Sequence, residues 1–228
     1  MTDILLIAGL WLDGSAWDGV LPGLRVHGHR PVALFLPGQG APPVRASLDD
    51  QREAVLAAVD TAVGPVMVVG HSAAATLAWM AADARPDKVA RVVLIGGFPE
   101  GDGQVYADIF PVVDGVVPFP GWASFEGPDA ADLDAQQRSA IAARAVPVPE
   151  GVVKGIVKLG SDRRYDVPVT LICPEFSVAQ AEAWIEGGQV PELVRARQLD
   201  YVDIDSGHWP MFTRPAELVD LLDRIAHA

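Results

Sequence analysis

Apolar residues in this chain fall into short unbroken runs, separated by stretches whose apolar positions recur at helical spacing. ILLIAG (4–9), VALFLP (32–37), PVMVVG (65–70), VARVVLIGG (89–97), VPVTLIC (167–173) and the shorter YVDID (201–205) read as six strands. A continuous apolar run, rather than an alternating one, is expected of a strand covered on both faces. Between the runs lie SLDDQREAVLAAVDTAV (47–63), SAAATLAWMAADA (72–84), VAQAEAWIEGG (178–188) and PAELVDLLDRIAHA (215–228). Ser47 reads as an N-cap with acidic residues in the turn that follows, and Pro215 as a first-turn proline. The 72–84 stretch is alanine-rich and nearly uncharged, which predicts a buried helix. Strands alternating with helices predict an α/β fold, a mostly parallel six-stranded sheet with helices on both faces.

The rhythm breaks between the fourth and fifth strands. Residues 99–166 are too long for a simple crossover and hold a helix-like DAQQRSAIAARA (134–145) among glycine- and proline-rich turns. They read as a cap inserted into a core built from 1–98 and 167–228.

Composition narrows the partners. The chain has 228 residues, 50% of them hydrophobic, and carries 30 acidic against 17 basic residues, a formal charge of −13. That is enough chain for one core, and the charge disfavours nucleic acid. A small-molecule substrate is the expected partner, and oligomeric state is left open. Cys173 is the only cysteine, so no internal disulfide can form and a reducing, cytoplasmic setting fits. MTDILLIAGLWLDG lacks a basic segment before its apolar residues and reads as a first strand, not a secretion signal. No apolar run approaches the ~20 residues that span a membrane.

The stretch VVGHSAAAT (68–76) places Ser72 after the third strand and before a helix. Ligands in open parallel sheets sit at the carboxyl ends of strands. A tight turn there needs small residues two before and two after the serine, and Gly70 and Ala74 meet that condition. Read alone, the serine is as readily a helix cap as a nucleophile. His27-Gly28-His29 falls in a polar turn at the opposite edge and reads as solvent-exposed, so no metal site is expected. Cys173 ends an apolar strand and reads as a buried, inert thiol. Gly9 and Gly14 make neither a dinucleotide fingerprint nor a phosphate loop, and no cofactor is expected.

The elbow at 70–74 resembles that of the α/β-hydrolase family, with Ala74 in place of the usual last glycine. DIDSGHWPMFTRPAELVDLL (203–222) is similar to the segment that carries the family's late histidine. The resemblance covers nearly the whole chain, and in its reduced sheet the chain is similar to small plant-type esterases and hydroxynitrile lyases. It implies Ser72 as nucleophile, His208 as base, and an acid after the fifth strand. Glu175 is the nearest carboxylate there, two residues earlier than the family's commonest position, close to Ser177. Glu100 and Asp102 are alternatives, Asp205 reads as the end of a strand, and Glu175 could instead cap the helix that follows. The resemblance also implies an oxyanion hole from the Ala73 and Leu10 amides, in a loop where Ala8 replaces the family's histidine. Trp11, His71, Trp122 and Trp209 are the candidate pocket residues, and Phe110, Phe119 and Phe125 form either pocket wall or cap core. Trp17 reads as core. The implied activity is hydrolysis of a small ester through an acyl-enzyme. Two other readings stay open: a cofactor-free lyase, for which Lys154 and Lys158 are the candidate positive groups, and a non-catalytic binding protein.

Overall fold

The computed structural model describes residues 1–40 and 45–228. Six strands, β1 (Asp3–Ile7), β2 (Arg30–Ala33), β3 (Val66–His71), β4 (Val89–Ile95), β5 (Val169–Cys173) and β6 (Leu199–Asp203), form one sheet. Their order is β2-β1-β3-β4-β5-β6, and every neighbouring pair is parallel. Successive side chains of a strand face opposite sides of the sheet. Leu5, Ile7, Val66 and Val68 enter one core, with α2 (Leu48–Thr61) and α3 (Ala74–Ala84). Ile4, Leu6, Met67 and Val69 enter the other, with α1 (Leu21–Val26) and α6 (Pro215–Ala226). Two cores explain why these strands are apolar at every position.

Local chemistry sets the helix ends. The Ser47 hydroxyl accepts from the Asp50 amide and the Asp50 carboxylate accepts in return, a capping box that starts α2. The same device, Ser177 with Gln180, starts α5 (Val178–Glu186). Pro215 is the first residue of α6.

Several boundaries differ from the apolar runs: β1 ends at Ile7 rather than 9, and β6 covers 199–203 rather than 201–205. β2 begins at Arg30 rather than 32 and ends at Ala33 rather than 37. Its register starts with Arg30 opposite Asp3, and the two side chains are ion-paired. Beyond Leu34 the chain turns, with the Leu36 amide donating to the Gln39 side chain, so Phe35 is exposed. β4 stops at Ile95 because Gly96 has a φ of 57°. Helix α3 starts at Ala74 rather than Ser72, for a reason that lies in the turn itself.

Between β4 and β5 the chain makes an antiparallel pair, Val116–Val117 with Val148–Pro149, and α4 (Ala135–Arg144), started by an Asp134–Gln137 capping box. This layer is fastened over the carboxyl ends of the strands at two points. Trp11 Nε1 donates to the Val117 carbonyl at 3.2 Å, and the Val146 amide donates to the Trp11 carbonyl at 2.8 Å. The His208 amide donates to the Asp129 carbonyl at 2.8 Å.

The Ser72 turn closes only over bare backbone. A Cβ on Gly70 would lie 2.3 Å from the Ala74 carbonyl oxygen, and one on Gly97 2.3 Å from the Ser72 carbonyl oxygen. Real Cβ atoms do not come this close to backbone. Gly70→Ala and Gly97→Ala are each expected to cost about 1–3 kcal/mol of unfolding free energy in urea titration. Gly64→Ala, with nothing within 4 Å of the added methyl, is expected to stay within about 0.5 kcal/mol of the parent.

Candidate active site

Ser72 has a φ of 55°, in the left-handed region that non-glycine residues rarely occupy. Its amide donates to the Ile95 carbonyl at 2.8 Å, and its carbonyl accepts from the Ala75 amide at 2.9 Å. The residue is therefore pinned between strand and helix, and its side chain lifts off the sheet edge. It is not the helix N-cap; Ala73 occupies that position.

Ser72, His208 and Glu175 line one cleft of about 610 Å³ at the carboxyl ends of the strands. His208 Nδ1 donates to Glu175 Oε1 at 2.6 Å, and both side chains are largely buried. With Nδ1 carrying the proton, Nε2 presents its lone pair, the arrangement a general base requires. Among the described residues the Ser72 hydroxyl has no hydrogen-bond partner. Contacts of this kind commonly shorten only once substrate is seated. Gly96 makes room for the acid–imidazole pair: a Cβ there would meet Glu175 Oε2 at 3.1 Å and His208 Nδ1 at 3.2 Å.

The alternatives to Glu175 sit elsewhere. Glu100 lines the cleft, but its carboxylate has no hydrogen bond to His208. Asp102 accepts from the Leu159 amide at 2.9 Å, and Asp205 is exposed. Ser177, not Glu175, caps α5.

Leu10 and Ala73 also line the cleft. Among the described residues neither amide has an acceptor, so two donors are free beside Ser72. The Leu10 amide belongs to a tight turn in which the Leu12 amide donates to the Gly9 carbonyl, with Trp11 at a φ of 61°. A bulky residue in that conformation stores strain, and the hydrogen bond it donates to Val117 and the one it accepts from Val146 hold it there. Trp11 lines the cleft together with Phe110 and Phe125; its ring packs edge-on against Phe110, Phe119 and Phe125.

Three of the expected pocket residues stand behind the cleft instead of on its wall. Trp209 is buried and packs edge-on against Trp122 at 5.3 Å. Trp122 donates to the Arg138 carbonyl. His71 is buried, and its Nε2 donates to the His208 carbonyl at 2.8 Å. Its ring lies 4.9 Å from the His208 ring. His71 thus holds the backbone that carries His208. The signal was available in the sequence, since His71 adjoins Ser72, but its partner lies at the far end of the chain.

The cleft lining includes Glu100, Asp108, Asp129 and Glu175 and contains no lysine or arginine. Burial pushes the Glu100 and Asp129 carboxyls above the ordinary carboxylate range. Lys154 and Lys158 do not reach this cleft; they pair with Glu150 and Asp49. Cys173 is buried, and burial first, then nearby carboxylates, pushes its thiol up to about 12. Trp17 is fully buried in the core. His29 overturns the expectation of an exposed His27–His29 turn: its side chain is fully buried, while His27 remains partly exposed. No described helix is long and apolar enough to cross a membrane.

The sequence matches the alpha/beta hydrolase family over residues 4–221, and the chain belongs to that family. Esterase PIR7B of Oryza sativa subsp. japonica is 33% identical over 98 residues, covering 40% of this chain and 37% of that protein. Probable esterase PIR7A of Oryza sativa subsp. indica is 34% identical over 106 residues, covering 44% of this chain and 40% of the relative. The match thus spans well under two thirds of the length of these relatives. Among solved structures, an extracellular alpha/beta-hydrolase from a Paenibacillus species superposes with a TM-score of 0.78 at 18% identity, over 98% of both chains. The Arabidopsis methylesterase MES16 gives 0.78 at 16% identity, over 100% of this chain and 99% of that one. At such identities these two share the fold.

The buried His71 makes stability depend on pH. Burial first, and then the neighbouring His208, lowers its pKa from 6.5 to about 3, against the opposing hydrogen bond to the His208 carbonyl. Between those values the unfolded chain binds the proton and the folded chain does not. His71's contribution is therefore complete above its unfolded pKa and is lost as pH falls toward the folded value. Urea midpoints are expected to drop from about pH 7 to about pH 5, with a shallower drop in His71→Asn. Equal slopes in both proteins would contradict this assignment.

Proposed function

We propose that the chain is a serine ester hydrolase working through Ser72, His208 and Glu175. The observation that carries this reading is the 2.6 Å contact of His208 Nδ1 with Glu175, in the same cleft as a serine raised on a left-handed turn. Family membership and the esterase names of the rice relatives support it.

In this reading His208 Nε2 takes the Ser72 proton as Oγ attacks the ester carbonyl. The tetrahedral oxyanion accepts from the Leu10 and Ala73 amides, donors that need no reorganisation when charge develops. His208 then delivers the proton to the departing alcohol, leaving an acyl group on Ser72. Water attacks this acyl-enzyme with His208 again as base, which regenerates the serine and releases the acid. Glu175 keeps the imidazole in the productive tautomer and stabilises its charged form.

Charge around the cleft favours a neutral substrate. Four carboxyl groups line it with no lysine or arginine, and its histidine, His208, is already paired with Glu175, so an anionic group would find no free cation to pair with. Leu10, Trp11, Ile109, Phe110 and Phe125 supply apolar walls for the acyl or alcohol part. A lyase that relies on a positive side chain in the pocket is disfavoured by where Lys154 and Lys158 lie.

Short nitrophenyl esters are the test substrates. Ser72→Ala and His208→Gln are expected to remove turnover down to the level of residual binding catalysis, and Glu175→Gln to lower kcat by about 10²–10⁴-fold. Glu100→Gln is expected to stay within about threefold of the parent, because its carboxylate does not contact the imidazole. Near-full activity in Glu175→Gln would overturn the acid assignment, and full activity in Ser72→Ala would overturn the mechanism.

A further inference from the structure

The histidines that the reaction does not use converge on one carboxylate. The chain has five histidines. Two of them, His71 and His208, lie at the carboxyl ends of the strands. The other three surround Asp223 at the opposite end of the sheet. His27 and His29 come from the turn between α1 and β2, and His29 immediately precedes β2. Asp223 lies on α6, and His227 directly follows that helix.

The distances are those of a ligand cluster. His29 Nε2 is 2.8 Å from Asp223 Oδ1, and His227 Nδ1 is 3.5 Å from the same oxygen. His27 Nδ1 is 3.4 Å from Asp223 Oδ2. One ligand atom each from His29, Asp223 and His227 lies within 4.8 Å of the others. Zinc–nitrogen bonds of about 2.0–2.1 Å in a tetrahedron put neighbouring donors roughly 3.3 Å apart. These donors therefore need only small shifts to share one ion. The exposed His227 side chain can swing in, giving up its hydrogen bond to the Asp223 carbonyl.

A second observation singles out His29. Its side chain is fully buried, and its Nδ1 has no hydrogen-bond partner. Nε2 is the nitrogen that faces Asp223, and burial of the ring fixes its aim at the cluster; an ion bound there would leave the ring proton on Nδ1. Two or three imidazoles with one carboxylate form a donor set suited to Zn²⁺ rather than to Mg²⁺ or Ca²⁺, which prefer oxygen. The acidic chain, at −13, adds long-range attraction for a cation.

We propose that His29, Asp223 and His227 form a zinc-binding site remote from the catalytic cleft, with His27 against the second oxygen of Asp223. It clips the turn before β2 to α6. Its role is structural: the ion would hold together segments distant in sequence and would stand apart from the Ser72 chemistry. The proposal is independent of the ester-hydrolase reading.

Calorimetric titration of the EDTA-treated, dialysed full chain with ZnCl₂ at neutral pH tests it, alongside thermal unfolding with and without zinc. One equivalent is expected to bind and to raise Tm. His227→Ala and His29→Gln are expected to weaken binding by about 10-fold or more and to abolish the Tm shift. Ser72→Ala and Glu175→Gln should bind zinc as the parent does. His227 is exposed, so His227→Ala keeps the test decisive even if His29→Gln does not fold. Nitrophenyl-ester turnover by His227→Ala should equal that of the parent. No zinc binding at millimolar concentration would overturn the site. So would binding that survives His227→Ala at full affinity, or that disappears in Glu175→Gln, which would place the ion in the catalytic cleft.

Discussion

Everything at this sheet edge depends on a left-handed serine packed against bare backbone. Ser72 holds a φ of 55° because β3 must end and α3 must begin within two residues. Such a turn leaves no room on its flanks. A Cβ on Gly9 would lie 2.8 Å from the Ser72 Cβ, and Gly70 and Gly97 are closer still to backbone atoms. The three glycines come from the loop after β1, from β3 itself and from the segment after β4. Gly9 and Gly97 give way to Ser72 itself, and Gly70 to the first turn of the helix that follows it. The strain is repaid by hydrogen bonding at the joint, where the Ser72 amide reaches the Ile95 carbonyl, and by burial of the helix behind it. Ala74 in place of the usual glycine fits because its methyl is accommodated in the core, where it is fully buried.

The imidazole is held from two sides by groups of different chemistry. Glu175 accepts from Nδ1, and His71 donates to the backbone carbonyl of the same residue. The first fixes the tautomer and the second fixes the position of the loop. A buried neutral histidine serves the second purpose because a charged one beside His208 would oppose the imidazolium. The cap closes the arrangement by tying itself both to Trp11 and to the His208 amide. The loop that offers the Leu10 amide and the loop that carries His208 thus share a roof.

Much of this was legible along the chain, and the failures have physical causes. Unbroken apolar runs located β1 to β5, because a sheet covered on both faces leaves no polar alternation to misread; β6, read from YVDID with its two aspartates, lies two residues earlier than expected. Apolarity is a poor guide at both sheet edges, at β6 and at β2, where an ion pair between Arg30 and Asp3 starts the register. The start of α3 was misplaced by two residues because a serine before alanines looks helical until the turn's tight packing is visible. Glu175 stood off the family's usual spacing, yet a glutamate is long enough for its carboxylate to reach His208. Pocket walls were least legible: Trp122 and Trp209 turned out to pack on each other, since which face of an aromatic meets a cavity depends on the cap's path. The burial of His29 was hidden for a related reason, as its neighbours are glycine and charged residues and its cover comes from a helix near the other end of the chain.

The account stands or falls on Ser72 as the atom that forms the covalent bond. Reaction with a fluorophosphonate ester, followed by peptide mapping in a mass spectrometer, reads that atom directly. The expected result is one phosphonyl group per chain, carried by Ser72, with no adduct on the folded Ser72→Ala protein. A protein that hydrolyses esters while Ser72 stays unmodified, or that is labelled at another serine, would contradict it.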